Sequence, residues 1–147
     1  QWKTAINAIC EAAPVLSRQK TGALMVIERK SRLGEIIKTG TIIDSVPSME
    51  LIGNIFFHNS PLHDGAMIVA KRRIAAASCI LPISHDLDIP KEFGLRHRAA
   101  KGISKESDAL AIVVSEETGN ITAAYNDIMR THISAEELET LLMKGKF

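Results

Sequence analysis

The sequence predicts a single α/β domain in which a central mixed β-sheet is flanked by helices. Three observations predict this class. Helix-period apolar patterns alternate along the chain with short apolar runs that are typical of buried strands. Of the 147 residues, 46% are hydrophobic and 24% are charged, a composition typical of one globular domain with a substantial core. The sequence contains no linker, internal repeat or low-complexity segment, so one domain should cover residues 1–147.

The first half of the chain predicts strands over residues 23–28 and 41–44, and helices over 1–18, 33–38 and from 48 onward. The N-terminal helix is indicated by four apolar residues on one face: Trp2, Ile6, Ile9 and Ala13. Pro14 should kink or interrupt it, because proline removes a backbone hydrogen bond. Gly40 ends the short second helix, and Ser48 is the expected N-cap of the third. The apolar stripe of that third helix consists of Met49, Ile52, Ile55 and Phe56.

The second half predicts two hairpins and a C-terminal helix. Strands over 65–70 and 74–82 flank Lys71-Arg72-Arg73, and strands over 109–115 and 120–125 flank a Glu-Glu-Thr-Gly turn. Residues 86–94 suggest a loop and a short helix with Pro90 at its first position. Ser134 and Glu137 form a capping box ahead of three leucines of the last helix, Leu138, Leu141 and Leu142.

Charge and cysteine content exclude several classes of protein. The formal net charge of +1 argues against a protein that mainly binds nucleic acid without specificity. Two cysteines, without metal-ligand spacing such as CxxC, do not form a disulfide scaffold, and Cys79 is expected to be a core thiol. No apolar stretch approaches the roughly 20 residues that cross a bilayer.

Arg96-His97-Arg98 is one of three polar clusters that lie beside apolar strands. In an extended segment the two arginines would face the same way, so that both guanidinium groups could converge on one anion. A solvated basic turn is the alternative explanation, and for an isolated RxR it is the commoner one.

His63-Asp64-Gly65 precedes an apolar run, where Asp64 could accept a hydroxyl proton and His63 could bind a divalent metal. The alternative is an Asp-Gly turn. A phosphohydrolase of the HD type is excluded, because it needs further histidines and aspartates on helices and only His58 is near. Glu116 and Glu117 end a strand, so alternation should point them to opposite sides and at most one should face a site.

Together these clusters supply a carboxylate base, an arginine clamp and a metal-capable acid. Such a set suits phosphoryl or nucleotidyl transfer assisted by Mg²⁺ or Mn²⁺. The sequence contains neither a Walker A loop nor GxGxxG, so it is neither a P-loop NTPase nor a typical dinucleotide-binding fold.

Four segments closely resemble the diadenylate cyclase domain, whose members make cyclic di-AMP from two ATP molecules. These segments are KTGALMVIER (20–29), NSPLHDGAMIV (59–69), RHRAAKGIS (96–104) and SDALAIVVSEETGNI (107–121). The resemblance implies that Asp64 activates the ribose 3′-hydroxyl, while Gly65 and Ala66 let the nucleotide pack against the backbone. It also implies that His63 and Glu117 bind Mg²⁺ or Mn²⁺.

For ATP the resemblance implies two groups of contacts. The adenine pocket is bordered by Gly22, Ala23, Leu24, Cys79 and Ile80, and the triphosphate is held by Arg96, His97, Arg98 and Ser115. Leu95 stands where the family commonly has threonine, so one phosphate contact would be lost, worth about 1 kcal/mol. Lys101 and Asp127 also depart from the family pattern, away from the motifs, and are expected to be tolerated.

The resemblance implies an assembly as well. Two ATP molecules must face each other, so a head-to-head homodimer with two-fold symmetry is expected. The N-terminal helix (1–18) resembles the segment that follows the membrane helices of the membrane-anchored subfamily. The full-length protein is therefore expected on the cytoplasmic side of a bacterial membrane, with this fragment soluble and no nucleic-acid partner. Two alternatives stay open: an inactive nucleotide-binding regulatory module, and a metal-dependent nucleotidyltransferase or phosphohydrolase acting on one nucleotide.

Overall fold

The computed structural model of the chain describes residues 2–85, 89–91 and 93–144. In these ranges the helices are α1 (Trp2–Gln19), α2 (Gly34–Ile37), α3 (Met49–Phe56), α4 (Leu95–Glu106) and α5 (Ala135–Lys144). The strands are β1 (Ala23–Ile27), β2 (Thr41–Ser45), β3 (Ala66–Ala70), β4 (Arg73–Cys79), β5 (Leu110–Val114), β6 (Ile121–Tyr125) and β7 (Ile128–Arg130).

The seven strands form one mixed sheet in the order β2-β4-β3-β1-β5-β6-β7. β1 and β3 are parallel, with Met25 opposite Met67, and the other five neighbouring pairs are antiparallel. The predicted α/β class with a mixed sheet is confirmed, and so are both predicted hairpins, β3–β4 and β5–β6.

The central strands are buried on both faces. In β1, Met25 and Ile27 belong to the core that α1, α3 and α5 cover, whereas Leu24 and Val26 belong to the core on the face covered by α4. Burying a side chain of this size contributes about 1.5–3 kcal/mol. Because both faces are covered, β1, β3 and β5 read as unbroken apolar runs rather than as alternating ones.

Pro14 lies inside α1 and does not end it. Of the two expected outcomes, interruption of the helix is wrong, and a kink stays a prediction. Its neighbours Ala13 and Leu16 are buried in the core, and α1 packs along α3 and α5. This packing holds the helix continuous, although a proline in a helix interior costs about 3 kcal/mol.

The two predicted helix caps are confirmed. The Ser48 hydroxyl accepts a hydrogen bond from the Leu51 N–H at 3.0 Å. At the start of α5, the Ser134 hydroxyl accepts from the Glu137 N–H at 3.1 Å, and the Glu137 carboxylate accepts from the Ser134 N–H at 3.0 Å. The N–H groups of Ser134 and Glu137, which have no partner within the helix, are thus each hydrogen bonded to the other residue's side chain.

Two elements, α4 and β7, are not predicted from the sequence. The extended conformation expected for Arg96-His97-Arg98 is wrong, because these residues form the first turn of α4. The short helix expected over residues 86–94 lies partly outside the described residues. In its described part, the Phe93 N–H donates to the Pro90 carbonyl at 3.0 Å and closes a single turn before α4.

Candidate active site

A cleft of about 530 Å³ lies at the end of the sheet where β3 begins and β5 ends. Three segments build it: the loop before β3, the first turn of α4 and the turn between β5 and β6. Its lining consists of His63, Asp64, Gly65, Gly94, Leu95, Arg96, His97, Val114, Ser115, Glu116 and Glu117. The fold therefore brings members of all three polar clusters of the sequence to one site.

A smaller apolar pocket of about 190 Å³ adjoins this cleft and shares Gly65, Leu95 and Arg96 with it. Its other lining residues are Leu24, Cys79, Ile80, Leu81, Ile83 and Ala99. A ligand with a flat apolar part and an anionic part could span both spaces, because the shared residues form their common border.

The polar end of the cleft is built on the N-terminus of α4. Gly94 stands at the N-cap, where it has no side chain to cap the helix, and the first turn contains no acidic residue. The first amides of a helix have no partner within the helix and carry partial positive charge, so such an end attracts anions. Arg96, in the same turn, adds a guanidinium group.

Arg96 packs against Gly22, in front of β1. A Cβ atom on Gly22 would lie 2.5 Å from the Arg96 Nη1 atom, so any side chain there would shift this guanidinium group. Nη1 lies 3.7 Å from Glu116 Oε1. Nε is buried and has no hydrogen-bond partner among the described residues. The side chain is thus held in place with donor capacity left for a ligand.

Arg98 does not line the cleft. In a helix, residues two apart point about 200° apart around the axis, so the guanidinium groups of Arg96 and Arg98 cannot share one anion through strand alternation. The double clamp expected for an extended segment is therefore not formed in that way, and the contact of Arg98 with the triphosphate stays a prediction.

His97 is buried and stacks on Phe93, with ring centroids 4.1 Å apart and planes inclined by 11°. Burial lowers its pKa below the ordinary value of 6.5, and the charge of Arg96 lowers it further. At neutral pH it therefore faces the cleft as a neutral imidazole, a hydrogen-bonding group rather than a third cation.

His63 and Asp64 form a close pair at the other side of the cleft. His63 Nδ1 lies 2.7 Å from the Ser60 carbonyl oxygen, and since a carbonyl can only accept, Nδ1 carries the proton. Nε2, which lies 3.3 Å from Asp64 Oδ1, then holds the lone pair when the ring is neutral. An imidazole nitrogen beside a carboxylate oxygen is a fitting pair of ligands for Mn²⁺ or Mg²⁺.

The metal pair expected from the sequence was His63 with Glu117. Glu117 lines the same cleft, but no group of three or more histidine, cysteine or acidic residues among the described part of the chain could hold a metal ion. A cation bound at His63 and Asp64 would hence need oxygen ligands from a substrate, as metals at phosphate-transfer sites often do.

Ser115, Glu116 and Glu117 lie beyond the end of β5, which stops at Val114. The Ser115 hydroxyl accepts hydrogen bonds from the N–H groups of Glu117 and Thr118, both at 3.2 Å, so its own proton is left to donate. Both glutamates line the cleft. The expectation that at most one would face the site is wrong, because strand alternation does not extend into this turn.

Gly65 has a positive φ of 84°, and a Cβ atom there would lie 2.6 Å from the Cys79 carbonyl oxygen. The backbone that closely approaches this glycine is therefore that of β4. Of the other expected contact residues, Leu24, Cys79, Ile80 and Leu95 line the apolar pocket. Ala23 and Ala66 are fully buried and line neither space.

Lys101 and Asp127, the two departures noted in the sequence, contact each other. Lys101 Nζ lies 2.8 Å from Asp127 Oδ1 and also donates to the Asp127 carbonyl. The bond from Lys101 lowers the pKa of Asp127. The Asp127 N–H donates to the Ser104 carbonyl, so the β6–β7 turn is fastened to α4, the helix that carries Arg96.

Several lining residues were not predicted: Gly94, Val114, Glu116, Leu81, Ile83 and Ala99. Only Glu116 had a signal in the sequence, its place beside Glu117 in a polar turn. The apolar residues could not be identified, because their role depends on how α4 packs on β1, β5 and β6.

A polar cleft joined to an apolar pocket at one end of an α/β sheet is typical of a nucleotide-binding domain. The family model described as DisA bacterial checkpoint controller nucleotide-binding, or DAC, matches residues 10–129. The chain therefore belongs to the DAC family. No helix in the described ranges is long and apolar enough to cross a membrane.

Named relatives share much of the sequence. Cyclic di-AMP synthase CdaA of Bacillus subtilis is 46% identical over 97% of this chain and 52% of its own length. A diadenylate cyclase of Listeria monocytogenes is 40% identical over 95% of this chain and 51% of its own length. The chain thus spans about half the length of these relatives.

Solved structures share the fold. A double mutant of DacA from Staphylococcus aureus superposes with a TM-score of 0.95 at 43% identity, covering 99% of this chain and 97% of that one. A hypothetical membrane spanning protein from Bacillus cereus gives a TM-score of 0.83 at 43% identity, covering 87% of this chain and 63% of that one.

The burial of His97 predicts a pH dependence of stability. Because its pKa is lower in the folded than in the unfolded chain, the unfolded state binds more protons below pH 6.5. The free energy of unfolding should fall as the pH drops from 7 through this range. The decrease should be smaller in His97→Gln, measured by urea denaturation at each pH. Equal slopes for both proteins would contradict a buried neutral His97.

Proposed function

We propose that residues 1–147 form one catalytic domain of a diadenylate cyclase, which condenses two ATP molecules into cyclic di-AMP and two pyrophosphates. Membership of the DAC family and the names of relatives that are 40–46% identical support this activity. The observation that carries the proposal is the shared border of the cleft and the apolar pocket at Gly65, Leu95 and Arg96. We propose that one ATP occupies both spaces.

In this proposal the adenine occupies the apolar pocket, between Leu24, Ile80 and Ala99, and the triphosphate extends into the cleft. The phosphates meet the N-terminal amides of α4 and the guanidinium group of Arg96. Neutral His97 and the Ser115 hydroxyl donate further hydrogen bonds. Leu95, exposed at 70%, covers the border between the two spaces and offers the phosphates no hydroxyl.

Asp64 is the proposed general base. Its carboxylate accepts the proton of the ribose 3′-hydroxyl, and that oxygen then attacks the α-phosphorus of a second ATP, from which pyrophosphate leaves in line. The side chain is 83% exposed and bends toward His63, so it is accessible to a hydroxyl group brought to the mouth of the cleft.

A divalent cation, Mg²⁺ or Mn²⁺, would supply charge neutralisation for the phosphates when it is bound. His63 Nε2 and Asp64 Oδ1 would hold it, and Glu117 lines the same cleft. The Ser60 carbonyl fixes the tautomer of His63 that such binding requires.

The proposal requires a second copy of the chain, because one cleft holds one ATP. Two copies related by a two-fold axis would present each ribose 3′-oxygen to the other copy's α-phosphorus. The exposure of Asp64, and of Ile80 and Leu95 at the rim of the apolar pocket, supports a site that a partner covers.

For the full-length protein we propose attachment to the cytoplasmic side of the membrane, supported by the membrane spanning relative of Bacillus cereus.

The activity is tested by incubating the protein with ATP and either Mn²⁺ or Mg²⁺ and separating the products by chromatography. Cyclic di-AMP and pyrophosphate are expected. AMP or ADP as the main product would instead identify a hydrolase acting on one nucleotide. Bound ATP that is recovered unchanged, at protein concentrations that favour dimers, would identify a regulatory binding module.

Asp64→Asn tests the general base. We expect cyclic di-AMP formation to fall by at least about 100-fold, the usual contribution of a positioned base, while the dissociation constant for ATP measured without divalent metal stays nearly unchanged. Asp44→Asn is the control, because Asp44 is an exposed aspartate of the edge strand β2, outside the cleft. Turnover retained in Asp64→Asn would remove this residue from its role.

Gly22→Ala tests the support of Arg96. The added methyl group would displace the guanidinium group, so ATP should bind about tenfold more weakly, the loss expected for one charge-assisted hydrogen bond. Gly53→Ala is the matched control, since a Cβ atom on Gly53 meets nothing within 4 Å. Calorimetric titration with an ATP analogue measures both. Equal affinities in the two variants would refute the contact as a determinant of binding.

A further inference from the structure

A second concave surface lies at the end of the sheet opposite the cleft. The parallel strands β1 and β3 begin beside the cleft and end, after five residues or about 16 Å each, beside this pocket of about 380 Å³. We call it the basic pocket, because five cationic residues line it: Arg29, Lys30, Arg32, Lys71 and Arg72. None of them lines the cleft.

These cations come from two loops. In the first loop, which carries Arg29, Lys30 and Arg32, backbone N–H groups donate hydrogen bonds to nearby carboxylates. Glu28 Oε2 accepts from the Leu33 N–H at 2.8 Å, and its Oε1 accepts from Arg32 at 3.0 Å. Asp108 accepts from the N–H groups of Lys30 and Ser31 at 3.1 and 2.9 Å. The loop is thus held in one conformation, while the side chains of Lys30 and Arg32 remain exposed.

The second loop is the tight turn between β3 and β4. Lys71 and Arg72 have φ values of 52° and 68°, in the left-handed region that asparagine and glycine favour. The comparable turn between β6 and β7 has Asn126 and Asp127 there, with φ values of 51° and 63°. Backbone preference therefore does not account for Lys71-Arg72, whereas both residues line the basic pocket.

We propose that the basic pocket binds a ligand bearing phosphate groups. Arginine presents a fork of donors that matches phosphate oxygens, and lysine adds point charges. The single carboxylate in the lining, Glu28, is buried and forms an ion pair with Arg32 at 3.0 Å, so it offsets one of the five positive charges. Trp2 at the edge of the pocket offers a ring beside the cations.

Two further observations favour an anion at this place. Burial lowers the pKa of Arg29, an effect that the charge of Asp108 opposes only in part, so an added negative charge would stabilise the guanidinium form. The five cations also form a local excess in a chain whose formal net charge is only +1. Phosphate groups can come from a soluble polyphosphate or from lipid headgroups, and both meet the same chemistry.

Two probes distinguish these sources. Tripolyphosphate is added without metal to ¹⁵N-labelled protein. It should shift the backbone amide resonances of residues 29–32 and 71–72, whether or not resonances of the cleft also shift. Sedimentation with phosphatidylcholine vesicles that contain phosphatidylglycerol, compared with pure phosphatidylcholine, tests lipid headgroups. Binding of either probe at the pocket supports the proposal and identifies the source, and neither readout depends on cyclase activity.

The double variant Lys71→Gln with Arg72→Gln should weaken the binding of whichever probe binds by about tenfold or more, because each lysine or arginine near an anionic surface adds to the binding free energy. Lys105→Gln with Lys144→Gln is the matched control, because it removes the same charge from exposed positions outside the basic pocket. The proposal is overturned if neither probe perturbs the pocket. Equal losses in the two double variants would also overturn it, since they would mean attraction by net charge alone.

Discussion

Burial of the three central strands on both faces is the constraint on which the other features of this domain depend. With α1, α3 and α5 on one face and α4 on the other, β1, β3 and β5 have no surface left for polar side chains. Polar and charged residues can lie only where these strands end. One end carries the cleft, with Asp64 and Arg96, and the opposite end carries the basic pocket.

The chemistry of the cleft depends on how closely α4 approaches the sheet. Gly22 lets Arg96 lie against the backbone in front of β1, and Gly65 lets β4 pass the start of β3. The pair of Lys101 and Asp127 fastens the same helix to the β6–β7 turn. These contacts fix the end of the helix before a ligand arrives, so less ordering is needed when an anion binds.

Local patterns predicted most of the fold and the three polar clusters whose members line the cleft. The hairpins, caps and buried strands follow from periodicity and from turn residues such as Ser48 and Ser134, which act on their immediate neighbours. α4 was not predictable in this way, because its buried side is made of small residues such as Ala99 and Ala100 between cations, and packing on β5 and β6 stabilises it. The conformation predicted for the side of the cleft that α4 builds was therefore wrong. The contact of Lys101 with Asp127 joins residues 26 positions apart, so local patterns could not predict it either.

The central claim is that one chain supplies only half of a catalytic centre, and mixing two proteins tests it most directly. Wild-type protein is equilibrated with a large excess of Asp64→Asn, and the nucleotide products are separated. In mixed dimers only one of the two 3′-hydroxyl groups has its base, so we expect cyclic di-AMP to fall well below the wild-type yield while a linear dinucleotide accumulates. Cyclic di-AMP formed in proportion to the wild-type protein, unaffected by the excess of the variant, would contradict the claim.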